Sequence, residues 1–319
     1  MRIHHSFLYK TFLRYSYITI IITGSFHCDE ALALSMLRIL PKYDNSVVVR
    51  SRDPAVLASC NLVVDVGAKY EPENLLFDHH QREFTGTLDS FKTKLSSAGL
   101  VYKHFGKEII AHVCQLNFEG QAVDTVLVDV LYLRLYKGFM EHIDAIDNGI
   151  SVADAPLKYH VSSTLSSRVG HLNPAWNQPQ SPELLNERFA LAIKLTSSEF
   201  LAELDSLLNI WWPARSIVHT SLANRRAVHP SGKIAVLNHF CPWKDHLFEI
   251  EGELGCPGEV LYVLYQDTSG SWRIQAVPQD PESFASRKKL PAPWCGVRDQ
   301  QLSDLVRTCV YFVLCYGRH

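Results

Sequence analysis

The sequence predicts an α/β chain: a mostly parallel N-terminal sheet with flanking helices, followed by a C-terminal α+β unit. Three observations predict it. Short β-branched runs alternate with stretches of helix formers through the first half. Those runs are apolar on both faces rather than alternating, as strands covered by helices on either side are. The character then changes near residue 155, where Pro156, Pro174, Pro179 and Pro182 punctuate the chain. A length of 319 residues exceeds the roughly 100–200 of a single domain. The expected division is therefore 17–154 and 155–319.

Each element follows in order. Positions 17–23 form a β-branched run closed by Gly24, a strand and its turn. From Asp29, EALALSMLRIL consists of good helix formers. SVVVR at 46–50 and LVVDV at 62–66, ended by Gly67, are the next strands. The short run 75–77 leads directly into Asp78-His79-His80. Ser96 and Ser97 stand where a helix through LVYKHFGKEIIAHV would be capped. Residues 122–148 read as a long helix with Val126, Val130, Leu133 and Phe139 inward, stopped by Asn148-Gly149. In the second half, 183–208 reads as one amphipathic helix. Strands are expected at 233–238, 260–265 and 271–277, with QDTSG at 266–270 as a hairpin connection.

Composition excludes several classes. Lys and Arg number 31 and Asp and Glu 33, a net charge of −2. The chain as a whole is thus not a basic nucleic-acid binder, and a polyanionic substrate needs a local basic patch or bound cations. The eight cysteines, at 28, 60, 114, 241, 256, 295, 309 and 315, contain no CxxC pair. That excludes a zinc ribbon or thioredoxin motif and reads as reduced thiols in an intracellular compartment. Cys28 is read as a small buried filler. No run approaches the roughly 18–20 apolar residues of a membrane span, so no membrane partner is expected. The first 28 residues carry Arg2, Lys10 and Arg14 and no acid, a presequence-like composition. YITIIITG in the same stretch has the composition of a core strand, and that is the reading preferred.

Four clusters carry the chemistry. Each sets Asp or His at the carboxyl end of an apolar strand or beside a helix terminus, where ligands gather in open α/β sheets. His27 and Asp29 stand two apart after the first strand and face the same way in an extended loop. Asp65 interrupts a valine run, where an unpaired acid is costly to bury. Asp78-His79-His80 supplies a carboxylate and two imidazoles together. Asp144 and Asp147 stand three apart on one helix face. Singly, each has a bland reading. Asp29 serves equally well as a helix N-cap, Asp65 as the cap of a turn, the paired acids as a solvated face, and the histidines as surface residues. Together they predict a divalent-cation site, and mixed imidazole and carboxylate ligands suit Mn²⁺ more than Mg²⁺.

GSFHCDEALA, RSRDP, VVDVG, FDHHQREF, TKLSSAGLVYKHFG, DAIDNGIS and LSSRVGHLNPAWN together resemble the melanocyte proliferating gene family, part of the DHH phosphoesterase superfamily, over roughly residues 20–300. The resemblance implies a DHH-type catalytic domain at 17–154 and a substrate-binding domain at 155–319. It implies a 3′–5′ exonuclease acting on single-stranded RNA 3′ ends and releasing nucleoside monophosphates, in nucleus, nucleolus and mitochondrion. Two divalent cations would activate a water and clamp the phosphate oxygens. His27 and Asp29 resemble the first ligands, Asp65 the acid bridging both cations, and His79 the metal-binding histidine. Asp78 would orient His79, His80 would contact phosphate, and the last ligand would be Asp144 or Asp147, the reading leaning to Asp144. Arg50, Arg52, Arg82, Lys94 and Arg168 are candidate phosphate contacts or ordinary surface charge. Ser96 and Ser97 stand at a natural anion site, a helix N-terminus. Trp176 is read as a core residue in preference to a base-stacking one.

The sequence departs from the family twice. Ile22 stands where the family has a further histidine, and the tail DLVRTCVYFVLCYGRH replaces an expected small-residue segment with His and paired glycines. The alternatives are a pyrophosphatase or small-nucleotide phosphoesterase using the same core, and a catalytically silent homologue that retains RNA or protein binding.

Overall fold

Five short strands, β1 (Ile18–Ile21), β2 (Val47–Arg50), β3 (Leu62–Val64), β4 (Tyr70–Glu71) and β5 (Leu76–Phe77), form one sheet in the order β2-β1-β3-β5-β4. All neighbours are parallel except the β4–β5 pair. The computed structural model describes residues 18–21, 24–120, 122–297, 299–306 and 313–316. Ile22, the leader reading of 1–17 and positions 307–312 and 317–319 of the tail lie outside the described residues. No helix among the described residues is long and apolar enough to cross a membrane.

The expected strands are present but shorter. β3 stops at Val64 because Asp65 adopts a left-handed backbone, φ 65°. β5 starts late because Leu75, φ 57°, turns the chain just before it. β4 was invisible in the sequence: two residues carry no periodicity. Register then does the work of assembly. Val63 pairs with Leu76 and Val64 with Phe77, and the Asp65 N–H continues the ladder to the Phe77 carbonyl at 3.0 Å. The residues leaving β3 and β5 therefore emerge side by side.

Helices cover this sheet. α1 (Cys28–Leu37) is buried along its whole length, as a helix apolar all round must be. α2 (Pro54–Leu57) is one turn, capped by Asp53 and opened by Pro54. α3 (Ser97–Asn117) starts at Ser96, whose hydroxyl accepts the Gly99 N–H. α4 (Thr125–Leu135) and α5 (Glu141–Asp147) are joined through a π-helical turn at Tyr136–Met140. α1 packs on both α3 and α5. Phe139 is buried as expected, but Val126 and Leu133 are exposed. The stretch TVLVDVLYL is apolar on every side, so its periodicity could not select the inward face.

The chain groups into two compact units, Met1–Leu204 and Asp205–His319. Residues 155–204, assigned by their prolines to the second half, belong to the first unit in this division. α6 (Leu165–Gly170) packs on α1 and α5, and α7 (Pro182–Asp205) sets Phe189 against Phe26 with ring centroids 5.4 Å apart. The helix expected at 183–208 is α7, followed by a π-helical turn at Ser206–Trp211.

The second unit contains α8 (Trp212–Ala223), α9 (Arg225–Val228), α10 (Lys244–Glu253) and α11 (Asp299–Val306). Its sheet runs β6-β7-β8-β9, from Ile234–Val236, Tyr262–Gln266, Trp272–Ala276 and Val313–Tyr316. The hairpin at 266–270 is confirmed by the antiparallel β7–β8 pair, with the Asp267 carboxylate accepting the Ser269 and Ser271 N–H groups. α10 was missed because its pattern is only weakly amphipathic. It supplies Glu251, a buried carboxylate that accepts the Gly258 and Val260 N–H groups and both Arg287 guanidinium nitrogens at 2.8 Å. Glu251→Gln leaves the guanidinium without its counter-ion and sets an amide NH₂ against N–H donors. The expected cost is about 2 kcal/mol, read as a lowered urea midpoint with unchanged slope.

Candidate metal centre

Three segments converge beyond the carboxyl ends of β1, β3 and β5: the first turn of α1, Asp65, and Asp78-His79-His80. α5 brings a fourth. Ligand atoms of Asp65, His79 and His80 all lie within 4.8 Å of one another, and so do those of Asp29, His79 and Asp147. His79 is common to both groups. The resemblance gave the shared place to Asp65, which stands in one of them.

The donor set fits divalent cations, and the buried polar atoms carry that test. Both carboxylate oxygens of Asp29, both ring nitrogens of His79 and Oε2 of Glu30 are enclosed without a hydrogen-bond partner among the described residues. Asp29 is only 1 % exposed and His79 4 %. Buried polar groups are otherwise almost always paired. His79 Nε2 lies 3.2 Å from Asp147 Oδ2 and 3.6 Å from Asp65 Oδ1, without the alignment of a hydrogen bond. Lone pairs pointed at a common space and at no donor are what a cation site requires. Asp29 is not the N-cap of α1, a place held by His27, so its bland reading fails.

Electrostatics agree. Burial, with Asp65 and Asp147 nearby, pushes the Asp29 carboxyl well above its ordinary range. Burial and the neighbouring Glu30 raise Asp65 to about 9, and burial next to Asp29 raises Glu30 to about 8. Glu30 was not singled out in the sequence. Its one signal was an acid following Asp29 in a helix otherwise built for the core. The backbone of Asp65, left-handed in a residue other than glycine, is strain of the kind found at functional sites.

Several expected roles are redistributed. Asp78 carries His80 rather than His79: its Oδ1 lies 2.7 Å from His80 Nδ1 and accepts the His80 N–H at 3.0 Å. Its Oδ2 accepts the Ala68 N–H at 2.6 Å. Burial works to raise the Asp78 carboxyl, but these donors outweigh it and hold it below its usual range. The same bond raises His80, keeping its ring more protonated near neutrality. Asp144 is fully buried but committed elsewhere. Its Oδ1 accepts the Ser96 N–H and hydroxyl, and its Oδ2 the Tyr136 hydroxyl at 2.9 Å. It stands in neither group of possible ligands, whereas Asp147 stands in one. Two acids on one helix face were indistinguishable until their neighbours were known. His27 is exposed and stands in neither group.

The serines and arginines divide likewise. Ser96 and Ser97 are fully buried, their hydroxyls donating to Asp144 and Asp65 instead of facing an open anion site. Arg50 donates to the Gly24 carbonyl and lies 4.9 Å over the Phe189 ring, a packing role. Arg168 pairs with Glu199 at 2.7 Å. Lys94 stands near enough to His80 to oppose its protonation, and packs over Phe84. Arg52 and Arg82 are exposed. Trp176, expected in the core, is 94 % exposed. Cys28 is the buried filler expected, its thiol pushed up to about 12 by burial.

A pH dependence follows from the raised carboxyls. A group whose folded value lies above its unfolded one contributes stability below the unfolded value and loses it as pH rises through the folded value. For Asp65 and Glu30 that window runs from 3.8 and 4.5 to about 9 and about 8. Cation-free protein should therefore lose stability across it. Mn²⁺ competes with those protons, so its thermal stabilisation is expected to be larger near pH 8 than near pH 5.5. The gain should approach about 2.7 kcal/mol at a hundredfold excess over Kd. Differential scanning calorimetry at the two pH values checks this; an upshift independent of pH would contradict it.

A family model described as "Uncharacterised protein family (UPF0160)", MYG1 exonuclease by its short name, matches residues 19–313. The MYG1 exonuclease of Mus musculus is 45% identical over 298 residues, covering 90% of this chain and 77% of the relative. The MYG1 exonuclease of Homo sapiens gives the same values. The MYG1 protein of Dictyostelium discoideum is 45% identical over 294 residues, covering 91% and 87%. No solved structure matches the chain.

Proposed function

Because the chain belongs to the MYG1 exonuclease family, we propose that it is a divalent-cation-dependent 3′–5′ exoribonuclease releasing nucleoside monophosphates. The observation that carries this reading is the pair of ligand groups meeting at His79, with buried lone pairs that no donor satisfies. Polarity, RNA preference and a nuclear and mitochondrial location rest on the motif resemblance. Mn²⁺ is favoured over Mg²⁺ by the mixture of imidazole and carboxylate.

Asp29, Asp65, His79 and Asp147 would hold the cations, with His80 at the open edge of the site as a hydrogen-bond donor rather than a ligand. Bound there, they supply Lewis acidity, activating a water and neutralising charge on the phosphate. In the net reaction a water oxygen bonds to phosphorus. The P–O3′ bond to the penultimate nucleotide breaks, and that O3′ leaves with a proton. The chain's own contribution begins with Asp78, which fixes the His80 ring through Nδ1 and favours its protonated form. Nε2 of the half-buried ring is left to donate to a phosphate oxygen or to the departing O3′. Ser97 fixes the Asp65 carboxylate through its hydroxyl at 3.0 Å. Ser96 and Tyr136 anchor Asp144 one helical turn before Asp147, setting the height of α5.

With Mn²⁺, a 5′-labelled oligoribonucleotide is expected to shorten to a ladder while inorganic pyrophosphate stays intact. A 3′-labelled strand should release mononucleotide at once. Cleavage of pyrophosphate alone would select the small-phosphoester alternative. Retained RNA binding without cleavage would select the silent homologue.

A further inference from the structure

Beside the metal centre lies a cavity of about 610 Å³, inside the roughly 300–1,000 Å³ of small-ligand sites. Asp65, Asp78 and His80 form part of its wall, so it opens on the same chemistry. Much of the remaining lining is apolar, built from Pro54 and Leu57 of α2 and Ala58 just after it, with Val63, Val66 and Leu76. Leu57, Val66 and Leu76 belong to one packed cluster, so this wall is fixed rather than loose. Two cations, Arg52 and Lys69, complete the lining. Arg52 makes no hydrogen bond or ion pair among the described residues, and Lys69 is exposed, with Glu71 4.0 Å away. The loop between Asp65 and Lys69 is held in shape by Asp78, which accepts the Ala68 N–H. That bond ties the cavity wall to the histidine pair.

An apolar slot, two exposed cations and a shared border with a phosphate-cleaving site describe one ligand class. We propose that this cavity receives the terminal nucleoside of the strand being shortened, its base on the apolar wall and its phosphate at the border with the metal centre, where Arg52 and Lys69 add positive charge, without selection among the bases. The absence of selection follows from the lining. None of its side chains is an amide or a hydroxyl, and its one ring, the His80 imidazole, is tied to Asp78 at the border with the metal centre rather than standing on the apolar wall. Dispersion and burial of a flat apolar face serve every base alike. The released 5′-mononucleotide fits the same cavity and competes with the next substrate end. This inference rests on the phosphodiesterase reading above for its substrate, but not for its binding measurement.

The test is calorimetric titration of the full chain with AMP, CMP and adenosine at saturating Mn²⁺. AMP and CMP should bind within about threefold of each other, and adenosine about tenfold more weakly for want of the phosphate. Ala58→Trp fills the cavity from the exposed end of α2, outside the metal centre. It should weaken AMP at least about tenfold while leaving the Mn²⁺ thermal upshift unchanged. If that variant does not fold, Arg52→Gln reads the same site by narrowing the gap between AMP and adenosine. Wild-type protein that shortens RNA yet binds no mononucleotide overturns the cavity assignment, as does AMP binding indifferent to both substitutions. Mononucleotide binding lost in Ala58→Trp, in a chain that cleaves no phosphodiester, supports the cavity and removes the proposed activity instead.

Discussion

Asp65→Asn is expected to lower Mn²⁺-dependent hydrolysis on the order of 10³-fold, the scale of losing one preorganised electrostatic contact at a reacting centre. The substitution is chosen for its backbone. Asp65 sits at φ 65°, a region asparagine tolerates and β-branched or bulky residues do not. The amide oxygen still accepts the Ser97 hydroxyl that Asp65 accepts at 3.0 Å. What disappears is the negative charge and one anionic ligand atom opposite His79 and His80. With that charge gone from among Asp29, Glu30 and Asp147, the cation-free protein should become more stable above neutral pH, while the stabilisation by Mn²⁺ shrinks. Single-turnover cleavage and thermal melts with and without Mn²⁺ report both. Full activity in Asp65→Asn would falsify the assigned site.

Gly99→Ala is expected to be the most damaging single methyl group in the first unit. A Cβ at position 99 would stand 2.4 Å from Asp144 Oδ1 and 2.5 Å from Oδ2, well inside contact distance. Asp144 cannot step aside, because its carboxylate is held by the Ser96 N–H and hydroxyl and by Tyr136. Either α3 lifts away from α5 or those donors lose their acceptor inside the core. Overpacking costs about 1–3 kcal/mol and each buried donor left unpaired about 1–3 more. The total is expected to be roughly 4 kcal/mol or greater, with a matching fall in the denaturant midpoint. Because α3 also carries Ser97 and α5 carries Asp147, weakened Mn²⁺ binding should accompany it. A stability change below about 1 kcal/mol would show that this contact relaxes freely.

Much of the site was legible because strand ends are legible. A β-branched run followed by Asp65, and LLF followed by Asp78-His79-His80, announce polar residues where a buried parallel sheet stops. Glu30 escaped because an acid in the first turn of a helix is ordinary dipole chemistry. Only the burial of the whole of α1 makes it exceptional. Arg50 and Arg168 looked like phosphate contacts because sequence cannot tell an arginine paired with Glu199 or stacked on Phe189 from a free one. Of the cavity the sequence offered only Arg52, as a candidate phosphate contact; Leu57, Val66 and Leu76 read as ordinary core residues until parallel pairing of β3 and β5 helps bring them to one wall.

The sequence by itself determined the strand-and-helix grammar of the first half, the family, and the kinds of ligand atoms available. Local patterns and residue chemistry are written in the order of the chain. Tertiary structure alone decided which acid faces His79 and which is spent on packing. Asp144 and Asp147 share one helix and one residue type. Their fates differ because one meets Ser96 and Tyr136 while the other meets His79. A carboxylate's role is fixed by the donors or lone pairs it faces, and those come from segments dozens of residues away.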